Sequence, residues 1–456
     1  MNATASAGSD PVPTTRPGRT AAPLHDACAG DDIEAEALAR ATWSRLAEPA
    51  DAHACALVGR LGAAGALDWL THEALDTDGR PRPAPRPPLP PHADAARASA
   101  DWAAAAGRWA PRLRGLDIRR ELEVLERLGG SLLIPTDPGW PTGLNDLERP
   151  PHCLWVRGDP ALLASRRSIE PDAAETGPAS PRTREELVRS GPGAGYALAL
   201  VGARASTDYG EHVAFDMASG LAEKGVVIIS GGAFGIDAVA HRGAMRTGVT
   251  VSVSAGGVDR LYPAGNADVL EEVIATGALV AEVPPGCQPG RHRFLTRNRL
   301  IAAMSDATVV VEAAWRSGAL STAHHALDLG RPVGAVPGPV TSMASVGCHR
   351  LLRQGVVCVT DAEEALELVV PLGATDPDAA KAADPANAGS GLLDGLDAPA
   401  AAVMDALPAR ADASVESIVR AAGLTERETI AALGLLELEG RVERRGASWR
   451  RARAHR

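Results

Sequence analysis

Lysine is nearly missing from this 456-residue chain: Lys224 and Lys381 are the only two among 46 basic residues. With abundant alanine and glycine, that skew reads as GC-rich coding and not as a chemistry of its own. Cysteine is sparse and badly spaced for metal. Cys28, Cys55, Cys153, Cys287, Cys348 and Cys358 include no CxxC pair, which excludes a zinc ribbon or a disulfide framework and predicts reduced thiols and no metal site. No run approaches the 18 or more apolar residues of a membrane span, and the N-terminus lacks a basic start leading into an apolar segment. The expectation is a cytoplasmic protein with no membrane partner. A Walker loop is also missing. Finally, a formal net charge of -11 and a pI near 5.6 exclude a protein that coats nucleic acid indiscriminately.

Length allows two to four domains. Residues 1–32 are rich in Ala, Thr, Pro and Gly without periodicity and are expected to be disordered. Residues 33–130 show apolar positions at helical spacing, from Leu38, Trp43 and Leu46 to Leu57, Leu61, Leu67 and Leu70, broken by Gly59, Gly62 and Gly65. They predict a small helical domain of SAM or helix-hairpin-helix type, with a proline-rich insert over 78–98. Gly129 and Gly130 close its last helix. Residues 131–372 then alternate strand-length apolar runs, such as Ala197 to Val201, Val226 to Ile229 and Val249 to Val253, with helix-length segments. That pattern predicts an α/β domain with a parallel sheet covered on both faces, interrupted by a polar insertion over 165–194. A linker over 373–398 leads to three short helices and a hairpin over 399–456, a winged helix. Its third helix carries Glu426, Glu428, Glu437 and Glu439, so a structural or protein-contact role is favoured over reading a DNA groove.

Between Tyr196 and Thr360 the chain carries 13 basic and 13 acidic side chains, so the overall acidity lies elsewhere. Within this neutral region the stretch RHRFLTRNRLIAAMS crowds Arg291, Arg293, Arg297 and Arg299 beside Phe294. Guanidinium groups next to an aromatic ring suit a phosphate backbone and a stacked base. In an open parallel sheet, ligands meet the loops at the carboxyl ends of the strands. There VGARASTDYG supplies Gly202, Arg204 and Ser206, and SGGAFGID supplies Ser230, Gly231, Gly232 and Gly235, residues that permit close approach to an anion. Asp237 reads as a helix cap and His241 as a packed side chain. The GGxxG spacing departs from GxGxxG, and the following strand ends in Ser254, Ala255 and Gly256 without a ribose-binding carboxylate. No dinucleotide or other cofactor is expected.

Taken together, GARASTDYG, SGGAFGIDAVAH, GGVDRLYPAGN, FLTRNRLIAAMS, VVVEAAWRSGALSTAHHAL and AVPGPV resemble the DNA-processing protein A (DprA/Smf) family. The resemblance implies an extended Rossmann domain that binds single-stranded DNA, forms a homodimer and loads RecA recombinase in natural transformation, without enzymatic turnover. Carried onto matching positions, it assigns DNA contact to Arg204, the Ser230 to Gly235 loop, Phe294, Arg297, Asn298 and Arg299, with Arg291 beside them. Leu295 stands where the family usually has proline, and Gly232 where it has Leu or Met. One enzymatic alternative shares the broad fold. Phosphoribohydrolases of the lonely-guy type act on nucleoside monophosphates with a catalytic glutamate, and here only Glu312 at a strand end is available. Its competing reading is a carboxylate paired with one of the arginines.

Overall fold

The computed structural model describes residues 30–83, 85–88, 95–164, 193–370, 398–407, 412–438, 440–446 and 448–451. The tail, the insertion and the linker expected at 1–32, 165–194 and 373–398 lie almost wholly outside these residues. The chain divides into two compact units, 1–375 and 376–456.

The first unit begins with four helices: α1 (Gly30–Leu46), α2 (Ala52–Asp68), α3 (Ala95–Leu113) and α4 (Ile118–Arg127). Asp51 caps α2 by accepting from the amides of His53 and Ala54. Gly62 breaks α2 with φ 74, a left-handed conformation that glycine adopts at little cost. The break lets Trp43 reach across and donate from Nε1 to the Ala63 carbonyl at 3.0 Å. Trp43 also meets Trp109 edge to face, with centroids 5.1 Å apart, so tryptophans form the centre of this helical core.

Nine strands follow: β1 (Gly130–Leu133), β2 (Leu154–Gly158), β3 (Ala197–Val201), β4 (Val227–Ser230), β5 (Thr250–Ser254), β6 (Ala278–Ala281), β7 (Ala307–Val310), β8 (Val333–Ala335) and β9 (Val357–Cys358). Their order is β1-β2-β6-β5-β4-β3-β7-β8-β9. From β6 to β9 the sheet is parallel, as the continuous apolar runs predict. Beyond the parallel prediction, β2 pairs antiparallel with β6 and β1 antiparallel with β2; only a short 3-10 turn over Thr142–Asp146, and no α-helix, lies between β1 and β2 to return the chain to the same end. The helices α5 (Asp208–Glu223), α6 (Ile236–Thr247) and α7 (Ala267–Thr276) pack with the sheet, as do α8 (Arg291–Met304), α9 (Gly318–Asp328), α10 (Val346–Arg353) and α11 (Ala362–Glu367). One face of the sheet is buried with α8 and α9, the other with α5 and α6.

The helical segment and the sheet share a core. Ala41, Ile118 and Leu125 cluster with Trp155 of β2 and Leu279 of β6, and the Trp155 Nε1 donates to Ser44 Oγ at 3.2 Å. No described helix is long and apolar enough to cross a membrane.

The second unit contains α12 (Ala398–Ala406), β10 (Ala413–Ser414), α13 (Val415–Ala422), α14 (Glu426–Leu438), β11 (Val442–Arg445) and β12 (Ser448–Arg451). β12 lies between the other two strands, and Val403, Ile418, Leu433 and Trp449 form the core. This is the winged helix expected. Thr425 and Glu428 make a reciprocal capping box at the start of α14, the Glu428 carboxylate accepting from the Thr425 amide at 2.9 Å and the Glu428 amide donating to Thr425 Oγ1. Glu428 is thereby committed to its own helix.

Candidate nucleic-acid interface

Strands β3 to β6 wind outward in one direction, and β7 then returns to pair with β3. That reversal leaves a crevice outside the carboxyl ends of β3 and β7, the usual ligand position in such sheets. A cavity of about 830 Å³ occupies it, lined by the loop after β3, the loop after β7, Tyr262, Met343 and one face of α8. At its centre Phe294 is half-buried. The Tyr262 ring lies 5.6 Å away, and the guanidinium of Arg204 sits 5.0 Å from the Phe294 centroid. Arg297 approaches the same ring at 6.0 Å. An aromatic surface flanked by cations offers a stacking face with charge beside it.

The arginines of α8 have separate fates. Arg291 is exposed, lines the cavity and forms no ion pair with a described residue. Arg293 turns to the helical segment, where its Nε and Nη2 each donate to the Glu48 carboxylate at 3.0 Å. Glu48 also accepts from Arg112 at 2.6 Å and meets His292 at 3.2 Å. Desolvation alone would raise the Glu48 carboxyl, but hydrogen bonds from Arg293 and His292 carry it down to about 2. Arg297 is largely buried in the wall of the cavity and donates to the backbone carbonyls of Gly231 and Val253. Its desolvation lowers its pKa to about 10, with Asp237 opposing the fall. Arg299 is equally buried, its Nη2 paired with Glu282 and its Nη1 donating to the Arg149 carbonyl at 2.8 Å. It does not line the cavity. Asn298 does, and donates to the Gly318 carbonyl at 3.2 Å. The sequence places Arg297 and Arg299 against a DNA strand; in the fold both are largely buried, Arg297 in the wall of the cavity and Arg299 away from it.

Of the two glycine loops, the one after β3 lines the cavity and the one after β4 faces mostly inward. Gly202 borders the cavity, whereas Ser230, Gly231 and Gly232 are buried. Ser230 donates to the Leu200 carbonyl at 2.7 Å, and Ser206 donates to Glu211 at 2.7 Å. Gly235 has φ 75 and sits where any side chain would strike the Ala203 carbonyl, so it serves close packing of two loops. Asp237 lies in the first turn of α6, with Gly235 at the cap position itself. Its carboxylate faces the amides of Ala233, Gly202 and Gly231. Burial raises its pKa, and the neighbouring Arg297 and those amides pull against the rise. The Ala233 amide, which donates to this carboxylate at 3.4 Å, is not free to hold a phosphate.

Glu312 is buried at the end of β7 and accepts from the amide of Thr207 at 3.0 Å and from its hydroxyl at 2.5 Å. Its partner is therefore a helix-capping threonine and not an arginine. His241 is fully buried, its Nδ1 2.8 Å from Thr250 Oγ1, and burial pushes it down to about 3. Among the described residues no group of His, Cys, Asp and Glu could hold a metal ion.

Two contributors were not singled out in the sequence, Tyr262 and Arg316. Arg316 is exposed, lines the cavity and forms no ion pair with a described residue. Both follow the carboxyl end of a strand, after β5 and β7, and that position was the available signal.

Residues 193–370 match the family model described as DNA recombination-mediator protein A, and residues 379–447 match one described as the DprA winged helix domain. The chain is 42% identical over 353 residues to the putative DNA processing protein DprA of Mycobacterium tuberculosis, covering 75% of this chain and 77% of that protein. It is 43% identical over 174 residues to protein Smf of Escherichia coli, 38% of this chain and 46% of that one. Among solved structures, DNA processing protein A of Streptococcus pneumoniae superposes with a TM-score of 0.48 at 28% identity, over 58% of this chain and 84% of that one. By the extent and level of its identity to the mycobacterial protein, the chain belongs to the DprA/Smf family of DNA-processing proteins.

Proposed function

We propose that the crevice binds single-stranded DNA and that the protein, as a cytoplasmic homodimer, passes the strand to RecA recombinase without catalytic turnover. One observation carries the DNA reading. Arg204, Arg291 and Arg316, none of them in an ion pair with a described residue, converge on a cavity that also presents the rings of Phe294 and Tyr262. Cations and flat rings together match a polyanion whose bases are unstacked. Duplex DNA hides the base faces that such rings would bind. The handover to RecA and the dimer are supported by membership of the family alone.

A phosphoribohydrolase would need a carboxylate in the crevice. Glu312 is held by Thr207 and does not line the cavity; Asp237 does line it, but is buried and turned to the Ala233 amide and the neighbouring Arg297, and this favours binding over turnover. The discriminating measurement is fluorescence anisotropy with single-stranded and double-stranded oligonucleotides of equal length, in which the single strand should bind much more tightly. Equal affinity would remove the role of the rings. Incubation with nucleoside monophosphates should release no free base, and release abolished in Glu312→Gln would favour the enzyme. Light scattering should give at least the dimer mass; a monomer with and without DNA would sink the homodimer.

A further inference from the structure

Beyond Phe294 and Tyr262, one exposed tryptophan is unexplained. Of the eight tryptophans, seven are no more than 8% exposed, whereas Trp315 is 54% exposed. Its neighbours in the chain, Ala314 and Arg316, both line the crevice. The loop that carries it is fixed: the Ala313 amide donates to the Ala344 carbonyl at 2.8 Å, and the Gly347 amide donates to the Ala313 carbonyl. From the segment so joined come Met343, 72% exposed and lining the crevice, and Arg350 on α10, whose guanidinium lies 5.5 Å from the Trp315 centroid. Neither Arg316 nor Arg350 forms an ion pair with a described residue. An indole on a loop anchored at Ala313, kept in water beside two unneutralised cations, is complementary to a ligand with a flat apolar face and an anionic linkage.

We propose that Trp315 is a second base-stacking station, taking a nucleotide farther along the same single strand than the one at Phe294, with Arg316 and Arg350 attracting the phosphate beside it. This rests on the crevice being a single-strand site. The positive charge of the patch favours a nucleic acid over an apolar protein surface as its occupant.

Trp315 provides its own probe, because the other seven indoles are shielded by the fold. In the full chain, quenching of tryptophan emission by acrylamide should be dominated by Trp315. An oligo-dT of about 16 nucleotides, the upper end of a single-fold site, should change that emission and protect it from acrylamide. The response should vanish in Trp315→Ala. In anisotropy titrations over a series of lengths, Trp315→Ala should weaken binding of the longer strands by about tenfold, within the range for loss of one stacked base. The shortest strands that bind should be unaffected, and Trp315→Phe should retain most of the affinity. Binding of the wild type without an emission change, together with unaltered affinity of Trp315→Ala at every length, would overturn the second station and leave the crevice reading intact. A wild-type chain that binds no oligonucleotide would overturn both. A change of oligomeric mass in Trp315→Ala with no change in DNA affinity would make the patch a protein interface instead.

Discussion

Arg291, Arg293, Arg297 and Arg299 share one helix, yet only Arg291 is exposed and without an ion pair to a described residue. The sequence displays their number and spacing but not their partners, since Glu48 lies 245 residues before Arg293 and comes from another part of the fold. Phe294 and Arg204 were legible because a strand-end loop and a helix start announce themselves locally. The burial of Arg297 and Arg299 was not. Two kinds of variant separate the roles. Replacing Arg204, Arg291 and Arg316 together by Ala should flatten the slope of log affinity against log salt by about two, at about 0.7 per lost phosphate contact on a single strand, with the melting temperature nearly unchanged. Arg299→Ala should instead destabilise by about 3–5 kcal/mol, because Glu282 is left buried without its cation; wild-type melting of that variant would contradict the structural role. The histidines set an acid limit. His241 and His152 are buried and held neutral, with pKa values lowered by burial to about 3 and about 4. The unfolded chain protonates them near 6.5, so their contribution is complete above that pH and declines as pH falls toward 4 and then 3. His241→Gln should show a shallower loss of melting temperature between pH 7 and pH 4, and an unaltered pH profile would assign the acid lability to other groups.

Secondary elements were more visible than their neighbours in space. Each parallel strand falls within a residue or two of an apolar run, and the winged-helix helices follow their expected spans, because period and length report local structure directly. Strand order does not appear in such a pattern. The antiparallel edge formed by β1 and β2 arises from contacts made with β6, more than a hundred residues later. Helix α8 is a similar case, since its first turn is tied to the helical segment through Glu48. The Glu48 pKa is depressed, so this tie is present above about 4.5 and is lost as pH falls toward 2. Glu48→Gln should weaken it at neutral pH by about 1 kcal/mol, allowing for solvent screening of a partly exposed cluster. Hydrogen exchange should then accelerate in the first turn of α8 while β3 to β5 keep their protection. Uniform acceleration would mean that Glu48 supports the whole unit and not this junction.

For the whole molecule, the winged helix and the first unit are separable in their expected roles. The exposed Glu426, Glu428 and Glu437 on α14 give that helix a surface that repels phosphate, so a chain ending near Leu372 should bind oligonucleotides within about tenfold of the full length, or 1.4 kcal/mol. A greater loss would assign binding to the arginine-bearing hairpin. The first unit does not divide so readily. The family model begins at residue 193, after β1 and β2, and a fragment cut there would bare the whole length of β6, a strand buried at every position. It would also uncover Leu279 and Ala281, which Trp155 and the helical segment now shield. An open, apolar strand edge is a template for aggregation, so residues 193–370 alone should precipitate where residues 30–370 stay in solution. The antiparallel pair is the selvedge of the sheet: the span that relatives share most recognisably is narrower than the smallest piece of this chain able to persist in water.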